Sequence, residues 1–301
     1  MKVLITGATG LVGREIVKLC KQQNIAVHYL TTSKEKIQSE TLVKGFYWNT
    51  KKHQIDALCL KGVTAIINLA GATIAQRWTQ SNKKAILNSR IDSIKTLYKV
   101  LKENKHTVEY FVSASALGIY PSSFTERYTE ESHKISDSFL GQVVTAWEAE
   151  ADTIKFLGIP VGKVRTGIVL SKEAGALQKM LLPVKYYVGA ALGSGKQWQS
   201  WIHLSDMAGL YLFLIKEKLP GVFNAVSSEP VTNAVLTKKI AKTLNNPLWL
   251  PNIPSFMLKL ILGDMAAVVL ESQYLENEKI KDAGYKFKFT QLEPTLCNLL
   301  T

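Results

Sequence analysis

The sequence predicts an α/β fold in which helices cover both faces of a parallel sheet. Short apolar runs alternate with helical patterns over the first 170 residues, and the runs are continuous rather than alternating, as in strands buried on both faces. The 301-residue chain is long enough for two modest domains. We expect residues 1–170 to form the sheet domain and residues 171–301 a smaller C-terminal α/β lobe that is not cleanly separable from it.

The first strand leads into a glycine-rich turn. The stretch Lys2 to Gly13 reads KVLITGATGLVG, and an amphipathic helix is predicted from Arg14 to Gln23. Gly7 permits the turn, Gly10 lets a pyrophosphate approach the backbone, and Gly13 lets the helix pack on the strand. Amide groups at the start of the helix would hold the phosphates. The pattern indicates a Rossmann dinucleotide site; the alternative is a turn without a ligand.

The end of the second strand, Ile25 to Leu30, bears on the choice of cofactor. Strands in this position that prefer NAD often end in an acid that binds the ribose 2′-hydroxyl. Here Thr31 and Thr32 follow instead, with Lys34 and Lys36 just beyond. No acid opposes a 2′-phosphate, which favours NADP over NAD. The alternative is a polar loop that contacts nothing.

Four further strands and two long helices complete the predicted sheet domain. Ligands of such sheets lie beyond the carboxyl ends of the strands, so we expect the backbone from Asn68 to Gly71 to lie beside the cofactor ribose and phosphates. Arg90 lies on the first long helix and is either a ligand contact or a surface charge. The strands are expected at Gly45–Trp48, Thr64–Gly71, Tyr110–Val112 and Val161–Leu170, and the helices at Lys83–Glu103 and Phe139–Leu157.

Polar side chains in two later segments are candidates for catalysis and substrate binding. Ser113 and Ser115 end the fifth strand, and Tyr120 follows; hydroxyl groups there could hydrogen-bond a substrate oxygen over the nicotinamide. A compact aromatic and polar strand is expected to supply a substrate wall, with packing of the indoles as the alternative. Its candidate residues are Gln197, Trp198, Trp201 and His203.

Composition narrows the classes of function. The net charge of +13 favours anionic ligands, but the lysines are dispersed and no basic helix carries interleaved aromatic residues, so we expect no nucleic-acid partner. No apolar run is long enough to span a membrane. The first strand begins at residue 2 and the three cysteines lack metal spacing, so a cytoplasmic protein without a metal is expected. The two long helices could pair across a twofold axis, which makes a homodimer one possible state.

These pieces together resemble the extended short-chain dehydrogenase/reductase superfamily, and within it the atypical "epimerase family" branch. The resemblance covers essentially the whole chain. It rests on TGATGLVG at Thr6, NLAG at Asn68, RWTQSNKKAILNSRI at Arg77, SASALGIY at Ser113, WEAEA at Trp147, RTGIVL at Arg165 and GSGKQWQSWIHLSD at Gly193.

The resemblance implies a set of cofactor-binding residues. The branch usually carries an arginine at the position of Thr32, so Lys34 or Lys36 would have to bind the 2′-phosphate here. The implied contacts are Gly7, Thr9, Gly10, Leu11, Val12, Thr31, Thr32, Leu69, Ala70, Arg90 and Val169.

The resemblance also exposes a missing active-site motif. Working members of the superfamily carry Tyr-x-x-x-Lys, in which the lysine lowers the pKa of the tyrosine that exchanges a proton. Phe139 and Val143 stand at those positions. One hypothesis is an NADP-dependent oxidoreductase or sugar-nucleotide epimerase that uses other groups, such as Ser113, Ser115, Tyr120, Glu130 or Glu131. The other is a catalytically silent, NADP(H)-binding regulatory or redox-sensing protein.

Overall fold

The computed structural model describes residues 1–300, and its centre is an eight-stranded sheet. The order is β12-β8-β6-β5-β1-β2-β3-β4, and neighbours are parallel except β3 and β4. The strands of this sheet are β1 Lys2–Thr6, β2 Ala26–Thr31, β3 Val43–Asn49, β4 Gln54–Ile55, β5 Ala65–Asn68, β6 Tyr110–Ala116, β8 Val161–Thr166 and β12 Gly221–Ala225. This confirms the predicted parallel, doubly wound fold.

Helices and short strand pairs surround the sheet. The helices are α1 Leu11–Gln22, α2 Gln80–Glu103, α3 Phe139–Asp152, α4 Ala176–Lys185, α5 Leu204–Glu217, α6 Asn233–Thr243, α7 Ser255–Leu262, α8 Ala267–Leu270, α9 Glu278–Asp282 and α10 Leu292–Leu300. The short pairs join β7 Arg127–Tyr128 with β14 Tyr274–Leu275, β9 Ile168–Leu170 with β11 Trp201–His203, and β10 Trp198–Gln199 with β13 Val231–Thr232.

The two faces of the sheet bury separate cores because side chains alternate along each strand. Val3 and Ile5 of β1 pack with residues of α1 and α5, whereas Leu4 packs on the opposite face with residues of α2 and α3. The three side chains are fully buried. This explains why the first apolar run is continuous rather than alternating.

The strand order reverses beside β1. The chain runs outward through β2 and β3 on one side of β1, and then crosses to β5 on the other side. A crevice opens at such a switch point beyond the carboxyl ends of the strands. The glycine turn after β1 and the segment after β5 therefore lie next to each other at this edge.

The expected division at residue 170 stays a prediction, and residues on both sides of it share one core. Residues of α5 and β12 belong to the same core as β1, and β12 pairs in parallel with β8 at the sheet edge. A separate cluster holds α4, α6 and α10 around Trp201. Residues from 204 to 225 thus complete the sheet domain, and the C-terminal part is built around the remaining helices.

Within residues 1–300, no helix is both long and apolar enough to cross a membrane. The same residues contain no group of three or more His, Cys, Asp or Glu side chains that could hold a metal ion.

Candidate active site

A cavity of about 370 Å³ lies at the carboxyl edge of the sheet, which is within the size range of small-molecule sites. Four residues expected at the site from the sequence line it: Leu11, Arg90, Val169 and Trp198. The ends of β6 and β8, one face of α3 and the segment before β14 supply most of the remaining wall. The cavity therefore spans the sheet domain and the C-terminal part.

The glycine turn is shaped to bring an anion to the start of α1. Gly7 has a φ of +68°, and a Cβ there would lie 2.9 Å from the carbonyl oxygen of Leu69. A Cβ on Gly13 would lie 2.3 Å from the carbonyl oxygen of Gly7. No side chain caps α1 at Gly10, and the first turn carries no acid. The first amide groups of α1 thus remain available to an anion.

Arg90 is a half-buried cation without a carboxylate partner among residues 1–300. Its Nη1 donates to the carbonyl oxygens of Ile86 and Ala72 at 2.8 and 3.2 Å, and its guanidinium lies 4.9 Å from the ring centre of Trp147. Burial lowers its pKa to about 10. A partly desolvated charge gains from a nearby counter-charge, so the cavity beside Arg90 suits an anionic group such as a phosphate.

The end of β5 is fixed by Thr6 rather than left open. The Thr6 hydroxyl donates to Asn68 Oδ1 at 2.7 Å and accepts from the amides of Leu69 and Ala70 at 3.0 Å each. The Asn68 side chain is fully buried and also donates to Ser113 Oγ at 3.3 Å. These interactions hold the segment against the glycine turn, and they already use the groups expected to contact the cofactor.

The remaining predicted cofactor residues lie around the turn and at the end of β2. Thr9 and Gly10 are exposed at the turn, whereas Val12 is half-buried against the core. Thr31 is buried and accepts the amide of Ser33 at 3.2 Å. Thr32 is exposed, and Lys34 beside it places its Nζ 5.4 Å from the ring centre of Tyr47. A lysine is thus present at the end of β2, where a 2′-phosphate would need one.

Ser115 and Tyr120 lie in a buried polar network rather than in the cavity lining. Ser115 donates to Glu148 Oε1 at 2.6 Å, and Arg165 binds both oxygens of Glu148 at 2.8 and 3.0 Å. Arg165 Nη1 also donates to the Tyr120 hydroxyl, which donates to Asn224 Oδ1, each at 2.8 Å. Burial raises the pKa of Tyr120, and Arg165 opposes that rise.

The three residues predicted to be catalytic are therefore not brought together over the cavity. Ser113 is fully buried, and its hydroxyl donates to the carbonyl oxygen of Ala114 at 3.0 Å. Side chains alternate between the two faces of β6, and Ser113 and Ser115 share the face that does not line the cavity. Ala116, Leu117 and Gly118 line it instead. A catalytic role for Ser113, Ser115 or Tyr120 stays a prediction.

Of the predicted substrate wall, only Trp198 lines the cavity. Gln197 is buried and its amide donates to the carbonyl oxygens of Leu192 and Val269. Trp201 is fully buried in the C-terminal core, and its indole N–H donates to the carbonyl oxygen of Glu229 at 2.7 Å. His203 caps α5 and stacks on Phe289 with ring centres 3.8 Å apart. Packing thus accounts for Trp201 and His203.

The helix that would carry Tyr-x-x-x-Lys presents an apolar face to the cavity. Phe139 packs edge-on against Trp78, with ring centres 5.0 Å apart, and is not part of the cavity wall. Leu140 and Val144 form the i, i+4 pair that faces the cavity, together with Val143. Neither member of the pair can exchange a proton.

Gln199 and Ser200, which belong to the strand expected to form the substrate wall, also line the cavity. The wall includes three further polar residues that the sequence did not indicate: Thr166, Glu271 and Gln273. Among the described residues that line the cavity, Glu271 is the one acidic residue and Arg90 is the one cationic residue. Glu271 and Gln273 follow the short helix α8, beyond the last strand of the main sheet, and no local pattern marks them.

The protein thus falls in the class of doubly wound α/β proteins that have a glycine-rich turn and a cavity at the switch point of the sheet. Comparison with known proteins narrows the class. The model of the NAD-dependent epimerase/dehydratase family matches residues 3–225, and a domain of unknown function, DUF1731, matches residues 253–299. The chain belongs to the NAD-dependent epimerase/dehydratase family.

Individual relatives agree with this assignment over the whole chain. An epimerase family protein of Staphylococcus aureus is 36% identical over 301 residues, which is 99% of this chain and 98% of the relative. The crystal structure of the human epimerase family protein SDR39U1 with NADPH superposes with a TM-score of 0.85 at 27% identity, covering 99% of both chains. A nucleoside-diphosphate sugar epimerase from Corynebacterium glutamicum matches at 26% identity and a TM-score of 0.80, covering all of this chain and 58% of that one.

Proposed function

We propose that this protein binds NADP(H) at the carboxyl edge of the sheet and acts as an oxidoreductase without the Tyr-x-x-x-Lys motif. The observation that carries the proposal is the half-buried Arg90, which lines the cavity without a carboxylate partner among residues 1–300. The uncapped start of α1 adds a second anion-binding feature at the same cavity. The NADPH in the related human structure supports the choice of cofactor.

The chain's own residues would bind and orient the cofactor. The amides at the start of α1 and the Arg90 guanidinium would hold the phosphates, and Lys34 would favour a 2′-phosphate. When bound, the cofactor supplies a hydride to a substrate carbon or accepts one from it. The apolar residues Leu117, Leu140 and Val144 would exclude water from that position.

A silent regulatory protein is a second candidate because one specific observation favours it. The cavity-facing pair Leu140 and Val144 cannot move a proton, so this part of the wall offers binding without acid–base chemistry. Both candidates require cofactor binding. Only the oxidoreductase requires turnover of a carbonyl compound or an alcohol.

Calorimetric titration with NADPH and NADH tests the cofactor site. We expect NADPH to bind more tightly, and Arg90→Met to weaken binding of both by roughly tenfold or more, because a charge-assisted hydrogen bond contributes about 1.5–3 kcal/mol. Lys84→Met is the matched control, since Lys84 is an exposed lysine on the same helix. If the unaltered protein binds neither NADPH nor NADH, both candidate functions are ruled out.

A further inference from the structure

Glu271 occupies an unusual position for a carboxylate. It lines the cavity directly after α8 and makes no ion pair within residues 1–300. Gln273 Nε2 donates to its Oε2 at 3.1 Å, while its Oε1 has no hydrogen-bond partner among the described residues. One oxygen is therefore held by the protein and the other is free to meet a ligand.

Neighbouring hydrogen bonds fix the segment that carries Glu271. The Gln273 side chain also donates to the carbonyl oxygen of Tyr120 at 3.4 Å, and its own carbonyl oxygen accepts from Ser200 Oγ at 2.8 Å. Ser272 Oγ donates to the carbonyl oxygen of Ser123 at 2.7 Å and accepts the amide of Trp198 at 3.0 Å. Hydrogen bonds thus fix the segment that carries the Glu271 carboxyl group, and a residue that takes part in acid–base chemistry needs such a fixed position.

The other acids near the site are already engaged or lie elsewhere. Both oxygens of Glu148 bind Arg165, and Glu130 Oε1 accepts the amide of Asn224 at 2.7 Å. Neither Glu148 nor Glu130 lines the cavity. Glu131 is exposed.

The rest of the wall indicates what kind of molecule fits beside Glu271. Besides Arg90, no cationic residue lines the cavity within the part of the chain that the structure describes. A sugar nucleotide would bring two more phosphates, and the proposed cofactor already engages Arg90. The wall is mainly apolar; its apolar side chains include Ile74, Leu117, Leu140, Val143, Val144 and Val268. An uncharged ligand with an apolar body suits this wall, because polar groups would lose hydration without gaining partners.

We propose that the Glu271 carboxyl group is the acid–base residue of this cavity, and that its substrate is an uncharged, mainly apolar ketone, aldehyde or corresponding alcohol. This inference rests on the proposed function. In the reducing direction the carbonyl carbon gains a hydride, that is, two electrons and one hydrogen, from the reduced dinucleotide. The carbonyl oxygen gains the proton that leaves Glu271. The products are the alcohol, the oxidised dinucleotide and a Glu271 carboxylate that solvent reprotonates.

Burial of Glu271 supports the acid role, because it raises the pKa of the carboxyl above its ordinary value; the hydrogen bond from Gln273 partly opposes that rise. A raised pKa increases the fraction of the protonated form near neutral pH, which a general acid needs.

The first measurement needs no cofactor. The carboxyl pKa of Glu271 is followed by ¹³C NMR of glutamate-labelled protein, assigned by loss of the signal in Glu271→Gln, with and without acetophenone or cyclohexanone. A carbonyl oxygen that accepts a hydrogen bond from the protonated carboxyl must raise its pKa further. We expect an upward shift with either ketone and none with UDP-glucose. No shift with either ketone, or a shift with UDP-glucose alone, would overturn the proposal.

The second measurement separates this proposal from the proposed function. Glu271→Gln should bind NADPH as the unaltered protein does, yet reduce the ketones at least a hundredfold more slowly, the usual contribution of a positioned acid. Glu276→Gln is the matched control, because Glu276 lies on the same segment outside the cavity and faces Arg127. Unchanged turnover in Glu271→Gln would refute the role of Glu271 and leave the proposed function standing. If the unaltered protein does not bind NADPH, the proposed function is refuted instead.

Discussion

Tyr120 illustrates how the partners of a residue, rather than its type, set what it does. The sequence places a tyrosine shortly after a strand end, where a proton donor would be useful. In the structure its hydroxyl is buried between Arg165 and Asn224 and makes two hydrogen bonds of 2.8 Å. Such a hydroxyl links charged and polar groups of the core, and an acid–base role would require it to leave both partners.

Replacement of Tyr120 tests this structural role. Tyr120→Phe leaves the Arg165 donor and the Asn224 acceptor unpaired in the core, so we expect the free energy of unfolding to fall by about 1–3 kcal/mol. Urea unfolding measures the change, and NADPH affinity should stay the same. Tyr186→Phe is the control, because Tyr186 is 74% exposed. Lost turnover at unchanged stability would instead favour the catalytic role predicted from the sequence.

A second residue-scale prediction concerns the 2′-phosphate. Lys34→Ala should weaken NADPH binding about fivefold and leave NADH binding unchanged, because an exposed charge pair contributes about 1 kcal/mol. Lys44→Ala is a close control: like Lys34, Lys44 is exposed and lies over an aromatic ring, that of Phe46, at 5.3 Å. An equal loss of affinity for NADPH and NADH in Lys34→Ala would show that Lys34 does not bind the 2′-phosphate.

At the scale of elements, the stretch Val161 to Leu170 is expected to form one strand, but the structure has two. β8 ends at Thr166 and stays in the main sheet, while β9 begins at Ile168 and pairs with β11. A Cβ on Gly167 would lie 2.3 Å from the carbonyl oxygen of Ser200. The break therefore depends on a segment 33 residues further on, which no local pattern reveals.

The cap of α5 makes the stability of this element depend on pH. His203 Nδ1 accepts the amide of Ser205 at 3.0 Å, and burial lowers the pKa of the imidazole from 6.5 to about 4. The unfolded chain binds a proton between these values and the folded chain does not. Above about pH 6.5 the imidazole is neutral in both states, and the lowered pKa has no effect on stability. As the pH falls from 6.5 towards 4, the unfolded chain gains a proton that the folded chain does not, and the free energy of unfolding falls by about 2–3 kcal/mol.

Substitution of His203 by a residue that caps without titrating tests this linkage. His203→Asn can still accept the Ser205 amide, so its free energy of unfolding should fall less than that of the unaltered protein between pH 6.5 and 4.5. Denaturant unfolding at several pH values gives both curves. Parallel curves would mean that His203 does not titrate on unfolding in this range.

At the scale of the whole molecule, the cavity joins the sheet domain to the C-terminal part. Leu11 and Arg90 belong to the sheet domain, whereas Gly175, Ala176 and Glu271 lie in segments that follow β9. A ligand in the cavity contacts both parts and stabilises the arrangement in which they meet. The homodimer through the two long helices stays a prediction.

Hydrogen exchange measures this coupling. At an NADPH concentration of about 100 Kd, amides of residues 171–176 should exchange up to about a hundredfold more slowly, because their exposure requires release of the ligand. Helix α10 does not line the cavity and serves as the internal reference. Protection spread equally over α10 would indicate general stabilisation rather than closure around the cavity.

Local sequence patterns were enough to predict the layers of the fold and the glycine-rich turn after its first strand. Strand periodicity, helix periodicity and glycine spacing are local, so β1, the turn at Gly7 and α1 could be predicted, although α1 begins at Leu11 rather than at the expected Arg14. Those local patterns could not predict which polar groups face the cavity. That choice depends on strand alternation and on contacts between distant segments, which turn Ser115 into the core and bring Glu271 to the wall.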